Sequence, residues 1–202
     1  MLDPTLRRVK DRSLQPLAAL AGRLVPAGAL TVLSLALCVG AGVLAAAGSR
    51  WLAVAAWLLG RLCDGLDGPV ARARGTASDL GGYLDMMADT VGYAAVPLGI
   101  AAGQGEQGVW VWCALLVATY SLNTVSWAYL SAIAEKRSSG AAARGEVTTI
   151  HMPTGLVEGT ETIVLYAVML AWPAQATVWF AAMAVAVALT IVQRVVWAKG
   201  NL

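Results

Sequence analysis

The chain has 202 residues, of which 58% are hydrophobic and only 13% charged, with a formal net charge of +2. A soluble domain carries about 25% charged residues, so this chain has too few to cover a water-facing surface. That argues against a soluble enzyme, a disordered tail or a nucleic-acid binder, and for an integral membrane protein.

In chain order, residues 1–24 come first, as a cytoplasmic juxtamembrane segment. Between positions 3 and 23 it mixes Leu6, Val9, Leu14, Leu17 and Leu20 with Arg7, Arg8, Lys10, Arg12 and Arg23, and Asp3-Pro4 resembles a helix start. The pattern predicts an interfacial amphipathic helix with its basic residues toward anionic headgroups. Pro16 interrupts it, and the alternative is a solvated basic leader. No short apolar stretch here ends in the small-residue cleavage site of a signal peptide.

Residues 25–202 read as the membrane domain. Apolar runs over 27–47, 51–71, 82–102, 108–133, 156–172 and 176–197 predict six transmembrane helices in an all-α integral membrane fold. Cys38, Cys63 and Cys113 lie inside these runs without paired spacing, so neither a disulfide framework nor a zinc site is indicated. Of the 14 Lys and Arg, all except Arg50 and Arg61 fall in the two terminal segments and the second and fourth connections. By the positive-inside rule, both termini face the cytoplasm of a cell (plasma or inner) membrane. Trp51, Trp110, Trp112, Trp172 and Trp179 cluster at the opposite ends, as an outer aromatic belt would.

The second and third runs carry four acids, Asp64, Asp67, Asp85 and Asp89. Intramembrane charges are costly and are functional by default. Asp64 and Asp67 are spaced i,i+3 and Asp85 and Asp89 i,i+4, so each pair shares one helix face. The two helices are antiparallel, joined by a short basic loop, and both pairs fall near their cytoplasmic ends. Four carboxylates can therefore converge there. Left bare they would repel one another. Oxygen-only ligands favour a hard cation, Mg²⁺, Mn²⁺ or Ca²⁺, and a charge of −4 suits two ions clamping a phosphate-bearing substrate. The structural alternative is neutralisation by Arg61, Arg72 or Arg74. Gly68, Gly81 and Gly82 flank the acids, where a missing side chain lets backbones approach or a flat ligand reach the main chain.

The stretch from Asp64 to Arg72, followed by eight residues and then Gly81 to Asp89, resembles the CDP-alcohol phosphotransferase signature DxxDGxxARx8GxxxDxxxD at every specified position. The resemblance implies cleavage of a CDP-linked donor's pyrophosphate and transfer of its phosphoryl-alcohol moiety to an acceptor hydroxyl, with release of CMP. It implies CDP-diacylglycerol as donor and a small alcohol as acceptor, hence phospholipid biosynthesis. By position, Asp64, Asp67 and Asp85 would hold two Mg²⁺ or Mn²⁺ ions. Asp89 would contact a metal and act as the base. Gly68, Ala71 and Arg72 would contact the nucleotide diphosphate, with Ser78, Gly81 and Thr31 as further nucleotide or substrate contacts. A homodimer is also implied.

The acceptor side departs from the phosphatidylinositol-phosphate synthase branch. Ser131 and Ile133 stand where that branch has Lys and Arg, and Glu158-Gly159-Thr160-Glu161 replaces an Arg-bearing stretch. This disfavours a phosphorylated inositol. Ser131, Lys136, Arg137, Glu158 and Glu161 are the candidate acceptor-side residues. Glu158 and Glu161 would read acceptor hydroxyls or an amine, or else simply favour a helix N-terminus. His151 lies in the same cytoplasmic connection without an assigned role. Two rival functions stay open: transfer of a phospho-headgroup from a CDP-linked small alcohol to a lipid alcohol, and a divalent-cation carrier.

Overall fold

The computed structural model describes residues 17–137 and 159–201, and these are helical, with no strand among them. The long helices are α1 (Ala27–Ala46), α2 (Arg50–Ala73), α3 (Asp79–Gln104), α4 (Gln107–Lys136), α5 (Gly159–Ala171) and α6 (Ala176–Asn201). Their bounds match the apolar runs to about one helical turn; the predicted start of the fifth run lies outside the described residues. Breakers set the ends. Gly48 and Gly105 take φ of 76° and 69° after α1 and α3, a conformation that costs glycine little. Ser78 caps α3, its Oγ accepting from the Gly81 N–H at 3.2 Å. A 3-10 turn, Pro173–Gln175, joins α5 to α6.

The stretches Ala27–Ala46, Gln107–Lys136 and Pro173–Gly200 are long and apolar enough to cross a membrane, and α5 is apolar but shorter. Helices α2 and α3, at 24 and 26 residues, have the length but carry the charged residues of the site. The exterior is apolar, with Val32, Leu52, Leu122, Val125, Val178 and Val196 exposed, as lipid as solvent requires.

Helix α1 packs on α2 and α3, α4 packs on α6, and α5 leans on α2. The first group is held at backbone distance. A Cβ on Gly99 of α3 would fall on the Gly42 backbone of α1, and one on Gly42 would meet the Ala95 carbonyl. The main core gathers Trp57, Ile100, Leu116, Tyr166, Phe180 and Met183. Residues 17–24 are helical. Ala18 packs with Leu30, Leu66 and Val70, while Leu17, Leu20 and Leu24 face outward. Arg74 Nε donates to the Gly22 carbonyl at 2.5 Å. Positions 3–16 of the expected interfacial helix lie outside the described residues.

Candidate active site

Helices α2 and α3 bring their acidic faces together. Each of Asp64, Asp67, Asp85 and Asp89 lies within electrostatic range of the other three. They converge as a charged patch rather than as a finished cage: among the described residues, no three Asp, Glu, His or Cys side chains are grouped as ready metal ligands. Like charges do not crowd together without a countercharge, and two carboxylates have found other partners. Asp67, which is buried, accepts from Thr31 Oγ1 of α1 at 2.7 Å. Asp89 Oδ1 accepts from Arg61 Nη1 at 2.5 Å, and the same nitrogen lies 3.7 Å from Asp64 Oδ2.

Arg61 is buried in α2. Its Nη2 donates to Ser34 Oγ and Cys38 Sγ, both at 3.3 Å. Its guanidinium carbon stands 5.0 Å from the Trp57 ring centroid and 5.3 Å from that of Tyr93, in reach of cation–π attraction. The neutralisation envisaged from sequence therefore occurs through Arg61. Its shorter contact, however, is to Asp89 on the neighbouring helix rather than to Asp64 on its own.

The residues fit a divalent cation on two observations. Asp85 Oδ1 is buried with no hydrogen-bond partner, an expensive state for a carboxylate oxygen. Four carboxylates also face one buried guanidinium, which leaves uncompensated negative charge in an all-oxygen donor set.

Further along α2, Gly68 and Ala71 are half-buried, and Arg72, on the exposed last turn, folds back over Gly68. A Cβ on Gly68 would meet the Arg72 guanidinium at 3.2 Å, and one on Gly81 would meet Ser78 Oγ at 3.4 Å. These two glycines do not serve backbone-to-backbone packing; Gly42 and Gly99 do. Ser78 is engaged as the cap of α3.

The acceptor-side residues stand on other helices. Ser131 is buried and donates to the Trp127 carbonyl of its own helix at 2.9 Å. Lys136 and Arg137 are exposed at the end of α4, and Glu161 lies in the first turn of α5. Glu158 and His151 fall outside the described residues.

Two polar features were missed from sequence. Arg194, read there as a flanking charge, is buried in α6, with Nη1 donating to Asn123 Oδ1 of α4 at 2.5 Å. The available signal was Asn123 itself, a polar residue inside an apolar run. Trp57 belongs to the core beside Arg61, where sequence showed only another apolar position.

The family model for CDP-alcohol phosphatidyltransferase matches residues 24–192. The chain belongs to this family. Its members transfer phosphate-containing groups, and with the apolar helices this makes the chain a multi-pass membrane transferase. A curated relative, inner membrane protein YnjF of Escherichia coli (strain K12), is 37% identical over 124 residues; the match spans 61% of this chain and 57% of that protein's length.

Two solved structures of phosphatidylinositol phosphate synthase PgsA1 from Mycobacterium tuberculosis share the fold. One, with CDP-DAG bound, has a TM-score of 0.69 and 23% identity over 91% of this chain and 92% of the other. The second, in complex with manganese and citrate, has a TM-score of 0.67 and 22% identity over 90% and 86%.

Proposed function

We propose that this chain is a phospholipid synthase: it transfers the phosphatidyl group of CDP-diacylglycerol to a hydroxyl of a small polar alcohol and releases CMP, in a divalent-metal-dependent reaction. The observation that carries the reading is the complete signature from Asp64 to Asp89, placed on two helices that both pack on α1, with all four carboxylates in mutual electrostatic range. Fold-level likeness to a synthase crystallised with CDP-DAG and with manganese supports it.

Asp64, Asp67, Asp85 and Asp89 would hold two Mg²⁺ or Mn²⁺ ions, which when bound neutralise the diphosphate and stabilise charge on the departing CMP. Thr31 orients Asp67 for that role. Gly68 and Ala71 leave the α2 surface open to the nucleotide, Arg72 supplies a fixed cation for its phosphates, and Ser78 and Gly81 line the start of α3. The acceptor hydroxyl attacks the phosphatidyl phosphorus. As its P–O bond forms, the pyrophosphate P–O bond to CMP breaks and Asp89 takes the hydroxyl proton.

Six spans, a cytoplasmic site, cytoplasmic termini and a membrane domain over 25–202 complete the reading, with a homodimer as the assembly. The acceptor reaches the site past the ends of α4 and α5, where Ser131, Lys136, Arg137 and Glu161 stand; Glu158 is a further candidate by sequence position alone. A site at the cytoplasmic interface leaves acyl chains in lipid while polar groups meet water-soluble partners.

The test is the purified protein in lipid vesicles, given labelled CDP-diacylglycerol and a panel of small alcohols. Labelled lipid product with equimolar CMP, abolished by EDTA and restored by Mg²⁺ or Mn²⁺, is expected. Chelator-resistant turnover overturns the metal dependence. Product formed only from a CDP-linked small alcohol and diacylglycerol transfers the assignment to the reverse arrangement, and Mn²⁺ flux without CMP release would make the chain a carrier.

A further inference from the structure

We propose that Arg61 is a positioning residue, a resident countercation that holds Asp89 and that an incoming divalent metal must displace from it. The proposal rests on the metal-dependent reading above.

Arg61 is fixed from several sides. Ser34 and Cys38 of α1 accept from Nη2. Trp57 and Tyr93 flank the guanidinium, and Trp57 is itself tied to α5, its Nε1 donating to the Ile163 carbonyl at 3.0 Å. The guanidinium side chain is only 4% exposed. This much anchoring sets the cation's position independently of the acid it meets.

A buried arginine needed only for packing would be satisfied by Asp64 one turn along its own helix. Arg61 instead makes its 2.5 Å contact across to Asp89 and stands 3.7 Å from Asp64. Removing a charge from water is repaid only where a partner is well placed, and here that partner is the final acid of the signature.

The cluster is consequently uneven. Asp89 and Asp64 are claimed by a cation already present. Asp67 is held by a neutral hydroxyl, and Asp85 Oδ1 has no partner. A metal ion binding near Asp89 meets the repulsion of Arg61 and competes for the same oxygen, whereas ligation by Asp67 and Asp85 is spared that competition. Arg61 thus holds Asp89 in place and weakens a metal's hold on it.

The sign of one measurement separates this role from a merely structural one. Mn²⁺ binding to the purified full chain in detergent is followed by the electron paramagnetic resonance of free Mn²⁺. Arg61→Gln is expected to tighten the weaker phase of binding by about tenfold, as a repelling charge is removed, while lowering turnover at saturating Mn²⁺. Arg61→Lys, which keeps the charge but lacks the forked geometry, falls between wild type and Arg61→Gln. If only the lysine variant folds, a smaller tightening supports the proposal.

Unchanged or weaker Mn²⁺ binding in whichever of these variants folds overturns it. Asp85→Asn keeps the two failures apart: it weakens Mn²⁺ binding if the acids hold metal, whatever Arg61 does. If Asp85→Asn binds Mn²⁺ as wild type does, the metal reading fails first.

Discussion

Tyr166 of α5 donates its hydroxyl to the Tyr93 carbonyl of α3 at 2.9 Å, and Tyr93 stands four residues before Pro97. A proline inside a helix removes the N–H that would serve the carbonyl one turn back. In an apolar interior that carbonyl must find another donor, and Tyr166 supplies it. Tyr166→Phe should therefore destabilise the protein by about 1 kcal/mol. In the Pro97→Ala background the same change should cost much less, because the alanine N–H restores the helical bond. A double-mutant cycle by thermal unfolding in detergent reads this coupling; additive effects would refute it.

The two outer acids of the signature should separate by function. Asp89→Asn is expected to cut turnover by about 10²–10⁴-fold, the usual contribution of a positioned base, and to leave metal-dependent nucleotide binding largely intact. Asp64→Asn is expected to weaken both. CMP release and equilibrium binding of CDP-diacylglycerol check the pair. Wild-type turnover in Asp89→Asn would remove it from the base role.

Thr31→Val removes the donor to Asp67 while preserving shape. Hydrogen bonds to charged groups contribute about 1.5–3 kcal/mol, so a melting shift of that origin should appear in EDTA. On the proposed metal-binding role of Asp67, it should shrink in Mn²⁺, because the ion would take over as the partner of that carboxylate. An equal shift in both conditions would confine Thr31 to packing.

Gly99→Ala places a methyl group on the Gly42 backbone. Overpacking of this kind costs about 1–3 kcal/mol, with the upper end expected because the obstacle is main chain. Gly40→Ala on helix α1 is the control, since nothing lies within 4 Å of the added carbon. That change should be neutral or mildly stabilising through helix propensity. Thermal melts of both variants decide the matter.

The helices were legible because apolar run length and glycine or proline breakers are local signals. The acids were legible because the signature fixes them relative to one another along two helices. What sequence concealed was partner choice. Arg61 is three positions from Asp64 and 28 from Asp89, and only the packing of α2 and α3 on α1 makes the distant acid the nearer one. Arg194 and Asn123, 71 positions apart, were hidden for the same reason. The glycines divide in the same way: a Cβ on Gly68 or Gly81 would meet only side-chain atoms, whereas the close backbone approach belongs to Gly42 and Gly99, in plain apolar sequence where a missing side chain leaves no chemical mark.

The contact between Gly42 and Gly99 also governs how the molecule can breathe. Main chain resting on main chain leaves no cushion of rotatable side chains, so α1 and α3 cannot slide or rock past each other without unseating the pair. Thr31 rides on one of these rods and Asp85 and Asp89 on the other. The spacing between Thr31 and the two acids of α3 is therefore machined into the scaffold, and any flexing of the molecule has to be taken up by the remaining helices.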